Sequence, residues 1–245
     1  MYEYISDDLI SIKHFPSENE IEYLASRLMK GNCIIIRNVL SKEYCLDIVN
    51  YLSSVRLGTI PAYEPLRNDS PNHYRINHLD KRASVKGYFE QFNFFMHNQD
   101  LMNIFGQTSH IFELKDNLSY IMDGRKTKYT SLEPPKNYIS RIGFQFYPSG
   151  RGYLEKHSDY IGENQLVVPT IIMSKRGEDF DTGGFYFNRK DESAIDPEPY
   201  VEVGDVIIFN PSLNHGVSKI DAKYAYNWNS CKGRWMAFAT TTKTT

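Results

Sequence analysis

The chain has 245 residues, 41% of them hydrophobic and 14% aromatic, which is ample material for a packed core. Its formal net charge of −2 provides no field for gathering nucleic acid or an anionic membrane. Three widely spaced cysteines (Cys33, Cys45, Cys231) exclude a disulfide framework, and the acidic start MYEYISDDLISIKHF lacks the basic flank and apolar stretch of a signal peptide. No stretch approaches a membrane span, so a soluble protein of a reducing cytoplasm is expected. The short basic runs Lys81-Arg82 and Arg125-Lys126-Thr127-Lys128 read as solvated loop charges. With no linker, charge block or repeat to divide it, the chain is expected to be one domain over 1–245. Residues 1–137 would supply helical support and loops, and 138–245 a β-rich core.

Ser17-Glu18-Asn19-Glu20 has the form of a capping box, followed by Ile21, Leu24, Ala25 and Leu28 on one helical face and Gly31 as a stop. Cys33-Ile34-Ile35-Ile36 predicts a short strand. Ser41 opens a second helix with Cys45, Ile48, Val49 and Leu52 at helical spacing. Residues 56–82, rich in Pro, Asn, Asp and Arg, predict a long loop of the kind that often forms a lid over a site. A third helix is expected at about 84–104, carrying Phe89, Phe92, Phe95 and Met96, while 106–138 matches no pattern.

From about residue 138 the pattern becomes short apolar or alternating runs between turns: 139–147, 152–157, 165–174, 184–188, 200–203, 205–209, 215–219 and 234–241. Eight short strands at this spacing predict a mainly β fold, a jelly roll with the N-terminal helices packed on one sheet. In the strand Arg141-Ile142-Gly143-Phe144-Gln145-Phe146-Tyr147, the residues Ile142, Phe144 and Phe146 suit those helices. Arg141, Gln145 and Tyr147 then face inward, where polar groups need partners.

Two His-x-acid triplets occur, His157-Ser158-Asp159 and His78-Leu79-Asp80. Only the first precedes a buried strand and a second histidine, in Val203-Gly204-Asp205-Val206-Ile207-Ile208-Phe209-Asn210-Pro211-Ser212-Leu213-Asn214-His215. The second lies in the polar loop "PNHYRINHLDKR" and reads as solvated or as approaching a substrate. Two imidazoles and one carboxylate on one face of a metal form the facial triad of non-haem Fe(II) oxygenases. Zinc sites favour more histidine or cysteine, and no nucleophile elbow or phosphate-cradling loop is present.

The stretch 145–240 resembles the Fe(II)/2-oxoglutarate-dependent dioxygenases, in particular their prolyl-hydroxylase-like branch. The matching segments are "FYPSGRGYLEKHSDY", "TGGFYF", "VEVGDVIIFNPSLNHGVS" and "GRWMAFATT". The resemblance implies a double-stranded β-helix (jelly-roll) core, with Fe(II) held by His157, Asp159 and His215, 2-oxoglutarate as cosubstrate and O2 as oxidant. It implies that Arg234 binds the distal carboxylate of 2-oxoglutarate, that Tyr147 offers its hydroxyl to the same carboxylate, and that Gln145 stands near the cosubstrate. Arg234 also has a physical case of its own, since an arginine opening an apolar strand is costly to bury without an anionic partner. It lies nineteen residues after His215, further than the family usually places it, because 221–230 reads as a loop insertion. Lys219 and Lys223 are alternatives, but neither leads into an apolar strand.

An acidic ligand at position 159 favours hydroxylation over halogenation within that resemblance. Arg141, Tyr153, Tyr74, Arg75, His78 and Trp228 are candidate substrate contacts, with Arg141 the preferred partner for an acidic group. A small molecule such as an amino acid or biosynthetic intermediate is the expected substrate. A protein side chain is the second choice, and a cupin-like ligand-binding barrel without redox turnover is the rival reading.

Overall fold

The computed structural model describes residues 2–58, 72–81, 83–124, 129–189 and 191–244. Two short strands, β1 (Tyr2–Tyr4) and β2 (Leu9–Ile12), precede helix α1 (Glu18–Met29). The carboxylate of Glu20 accepts the Ser17 backbone N–H at 2.9 Å and its hydroxyl at 2.7 Å, closing the first turn. Those hydrogen bonds hold the Glu20 carboxyl down at about 2. The expected residues Ile21, Leu24, Ala25 and Leu28 are the buried ones. Strand β3 (Cys33–Ile36) runs parallel to β2, and α2 (Lys42–Gly58) follows.

The next stretch departs from expectation. Most of the predicted loop at 56–82 lies outside the described residues, but its end forms strand β4 (Asn72–Ile76). The helix expected at 84–104 is instead strand β5 (Gly87–Phe95), paired with β4. All nine of its residues are buried, so neither face reads as polar, and Phe89, Phe92 and Phe95 happen to fall three apart. The third helix is α3 (Ile104–Asp123), in the segment for which the sequence showed no pattern.

Strands β6 (Tyr138–Pro148), β7 (Tyr153–His157), β8 (Val168–Ile172), β9 (Gly184–Asn188), β10 (Ala194–Ile195), β11 (Val206–Phe209), β12 (His215–Ser218) and β13 (Gly233–Lys243) complete the fold. Seven of these match expected strands. Residues 200–203 form no strand, because Pro197 and Pro199 favour a short 3-10 turn over Glu198–Tyr200, after which Val201 and Val203 are buried from irregular chain.

The strands run in the order β1-β2-β3-β11-β8-β13-β6-β5, with β4 beside β5, and continue through β5 into β7-β12-β9-β10. The sheet thus turns on itself into a larger and a smaller layer, a jelly-roll core. Ile142, Phe144 and Phe146 of β6 pack with Leu24, Leu28, Phe112 and Leu118 of the helices, on the outside of the larger layer. Each such buried side chain contributes about 1.5–3 kcal/mol. Between the layers, Ile172, Ile207 and Phe209 meet Phe185 and Phe187. A separate cluster joins Tyr147, Met236, Phe89 and Val217.

Candidate active site

His157 ends β7 and His215 begins β12, and the two residues are direct partners in the antiparallel register. That pairing brings their rings to 4.3 Å between centroids. Asp159 follows β7 on a loop tied down by its N–H, which donates to the Pro211 carbonyl at 2.9 Å. Nε2 of His157 lies 3.6 Å from Oδ1 of Asp159, and Nε2 of His215 lies 3.7 Å from Oδ2. One ligand atom from each of the three residues falls within 4.8 Å of the others, the single such cluster among the described residues.

The other imidazole nitrogens settle the tautomers. Nδ1–H of His157 donates to the Glu155 carbonyl and Nδ1–H of His215 to the Leu213 carbonyl, each at 2.8 Å. Both Nε2 lone pairs are thereby turned toward Asp159, the arrangement a ligating histidine requires. Burial, helped by the neighbouring His157, holds His215 below the usual imidazole range and so in its neutral, ligating form. The donor set, two imidazoles and one carboxylate on one side of a cavity, fits a non-haem iron.

The cavity has a volume of about 320 Å³, and His157, Asp159 and His215 line it together with Tyr147, Gln145 and Arg141. Tyr74 is also on its wall. The phenol of Tyr147 donates to Oε1 of Gln145 at 2.6 Å, Gln145 donates to Gln91 at 2.9 Å, and Gln91 donates to Asn93 at 2.8 Å. This buried chain fixes every amide in one orientation. Burial raises the Tyr147 phenol well above its ordinary value, so it stays protonated and able to donate.

Arg234 sits across the β6–β13 pair from Tyr147 and is almost fully buried, just outside the cavity lining. Its Nε–H donates to Oε1 of Glu198 at 2.6 Å, while Nη1 and Nη2 are buried without an acceptor. Two orphaned N–H groups in fork geometry fit the carboxylate of a 2-oxo diacid. Glu198 went unnoticed in the sequence. It also accepts the Phe185 N–H at 2.7 Å, and its side chain crosses Gly184, where an added Cβ would lie 2.5 Å from Glu198 Cγ. This is the reason for the second glycine of Thr182-Gly183-Gly184, whose φ is +128°. Lys219 is exposed, and Lys223 is an exposed lysine 3.7 Å from Asp181, so neither competes for the role of Arg234.

The remaining candidates lie elsewhere. Arg75 ion-pairs with Glu90 at 2.9 Å and stacks over Trp228, whose ring packs flat on Tyr88. Arg56 and His73 share the same carboxylate at 2.7 and 3.0 Å. Burial pushes the Glu90 carboxyl up, but the hydrogen bonds from His73 and Arg56 outweigh it and hold the group below its usual value. Trp228 belongs to the 221–230 loop, which Arg56 anchors through the carbonyls of Trp228 and Ser230. His78 is exposed beside Tyr88, and Tyr153 pairs with Tyr88 at the β5–β7 seam. None of Arg75, His78, Tyr153 and Trp228 lines the cavity.

No model of a known protein family matches the chain, and no curated protein does. Solved structures do. A prolyl-4-hydroxylase from Pseudomonas putida is 12% identical, with 92% of this chain and all of that one covered at a TM-score of 0.53. A prolyl hydroxylase from Trichoplax adhaerens, solved with a fragment of hypoxia-inducible factor, is 14% identical over 92% and 91% at 0.55. A dioxygenase for auxin oxidation from Arabidopsis thaliana, solved with 2-oxoglutarate, is 12% identical over 95% and 91% at 0.55. These likenesses establish the fold, which the chain shares with these hydroxylases and this dioxygenase, and among the described residues no helix is long and apolar enough to cross a membrane.

Proposed function

We propose that this protein is an Fe(II)/2-oxoglutarate-dependent dioxygenase that hydroxylates an unactivated C–H bond of a small molecule, such as an amino acid or biosynthetic intermediate. The observation that carries the reading is a coincidence of two needs in one place. The Nε2 atoms of two histidines and a carboxylate converge on one point of the cavity wall, and a buried guanidinium near the same cavity lacks an acceptor for two N–H groups.

His157, Asp159 and His215 would hold the iron from one side, leaving its opposite face toward the cavity. Arg234 would take the distal carboxylate of 2-oxoglutarate, with the Tyr147 hydroxyl as second donor once it turns from Gln145. When bound, iron and 2-oxoglutarate supply activation of O2 and the oxidising power for C–H cleavage. The chain's own work is geometric and dielectric. Phe185, Val217, Met236 and Phe238 present apolar surface to the cavity and keep water from the reacting groups. The backbone carbonyls of Glu155 and Leu213 hold the imidazoles in place through their Nδ1–H bonds. At 320 Å³ the cavity is near the lower end of ligand pockets and must hold the cosubstrate too, which favours a small substrate.

The test is oxygen-dependent release of succinate from 2-oxoglutarate by the Fe(II)-loaded protein, on switching from anaerobic to aerobic buffer. Candidate substrates should stimulate it and gain one oxygen by mass. Asp159→Ala and His215→Ala should each abolish iron binding and succinate formation, and normal turnover in both would overturn the reading.

A further inference from the structure

We infer that Arg141 is the substrate-binding residue for a carboxylate, so that the substrate is a small monocarboxylic acid. The inference rests on the oxygenase reading of the same cavity and names the chemical class that the cavity accepts.

Arg141 lies on the inward face of β6, in register with Thr240 of β13, as Tyr147 is with Arg234. The two arginines therefore stand six residues apart along one strand pair, about 20 Å by strand rise. Asp159 lines the same cavity as Arg141 and Tyr147. One end would hold the cosubstrate diacid. The other presents a second guanidinium with no carboxylate partner among the described residues.

The partners of three other arginines make the contrast. Arg56 has Glu90 at 2.7 Å, Arg37 has Asp205 at 2.8 Å and Arg234 has Glu198 at 2.6 Å. Arg141 has no carboxylate partner among the described residues, and Asp159 lies beyond ion-pair distance. Its Nε–H donates to the Thr240 hydroxyl at 3.1 Å, and its Cζ sits 5.3 Å from the centre of the Phe238 ring. The tip of that ring lies over Gly143, where any Cβ would meet it at 2.2 Å. The side chain is thus held by its stem and by Nε, its terminal nitrogens carry no hydrogen bond among the described residues, and the residue lines the cavity. A guanidinium cannot shed its charge, and a half-buried one on a cavity wall with no carboxylate partner offers its fork to the carboxylate of a ligand.

The charge count selects the class. The cavity lining holds one other formally charged side chain, Asp159, and offers a single cation to the substrate. One guanidinium fork balances one carboxylate, whereas a phosphate monoester would bring a second, uncompensated charge beside Asp159.

The test is equilibrium binding to the protein loaded with redox-inert Zn(II) and 2-oxoglutarate, measured by calorimetry. The probes are the free L-amino acids and straight-chain monocarboxylates, the corresponding primary amides, and inorganic phosphate. At least one acid should bind the wild type, its amide should not, and Arg141→Gln should weaken the acid roughly tenfold or more while leaving 2-oxoglutarate affinity unchanged. Absence of acid binding, equal binding of acid and amide, stronger binding of phosphate, or an unchanged affinity in Arg141→Gln would each overturn the inference. Should that variant fail to bind 2-oxoglutarate, Arg141→Lys is read in its place, with a comparable loss expected and an unchanged affinity overturning it. Failure of the wild type itself to bind 2-oxoglutarate would overturn the oxygenase reading, and this one with it.

Discussion

Arg234 and Glu198, each side chain 1% exposed, are joined through a single oxygen, Nε to Oε1 at 2.6 Å, although 36 residues separate them in the chain. The contact aims the guanidinium and leaves its two outer nitrogens without an acceptor, but it also places a negative charge where the proposed anionic cosubstrate would bind. Glu198→Gln keeps an acceptor for Nε and for the Phe185 N–H while removing that charge. The unliganded variant should melt lower than wild type, because a buried guanidinium loses its counter-charge. Added 2-oxoglutarate should then raise its melting temperature by more than it raises that of the wild type, since the ligand becomes the only counter-charge. Thermal melts with and without 2-oxoglutarate decide this, and an equal or smaller shift in the variant would count against the proposed role of Arg234.

Arg234→Lys keeps the charge and loses the fork. A lysine ammonium cannot serve Glu198 and both oxygens of a ligand carboxylate from one point. The apparent KM for 2-oxoglutarate should rise roughly tenfold or more, as loss of a charged hydrogen bond predicts, while Fe(II) affinity stays at the wild-type value. An unchanged KM would leave the cosubstrate without its assigned anchor.

Gly184 and Glu198 should be energetically coupled. Gly184→Ala puts a Cβ 2.5 Å from Glu198 Cγ at a φ of +128°, and a destabilisation of about 1–3 kcal/mol is expected. With Glu198→Ala already present, the steric part of that loss disappears and only the backbone strain remains. Urea unfolding of the two single variants and the double variant gives the coupling directly, and strict additivity would show that the glycine serves some other neighbour.

The metal cluster was legible because its parts follow rules that act over a few residues. His157 and Asp159 stand two apart at a strand end, and His215 follows a glycine turn and a buried strand, so their order, together with the family resemblance, brought the three into view. The inward face of β6 was legible for the same reason, since Arg141, Gln145 and Tyr147 alternate with Ile142, Phe144 and Phe146. Strand β5 was not. Buried on both faces, it shows no alternation, and reading it as a helix hid Gln91 and Asn93, the far half of the amide chain that begins at Tyr147. Helix α3 escaped because Thr108, Lys115, Asp116 and Ser119 interrupt its buried face with polar groups. Glu198 stands between two prolines and reads locally as a turn, because nothing near it in sequence marks a carboxylate whose partner is on the last strand.

Lys115 provides a test of the helical layer. Its Nζ is fully buried without a hydrogen-bond partner, and burial, reinforced by Arg141 and opposed by Asp116, lowers its value to about 7. The unfolded chain restores an ordinary lysine near 10.4. Between these values the unfolded state binds the extra proton, so stability should rise with pH from about 7 to 10 and be flat below that window. Lys115→Met preserves length and helix propensity while removing the charge. It should stabilise the protein by on the order of 2–4 kcal/mol at pH 6, where the full penalty applies, and by less than half of that at pH 9.5. Urea unfolding of both proteins at the two pH values measures the difference, and a gain that does not change with pH would mean that the Lys115 ammonium has water or an anion beside it.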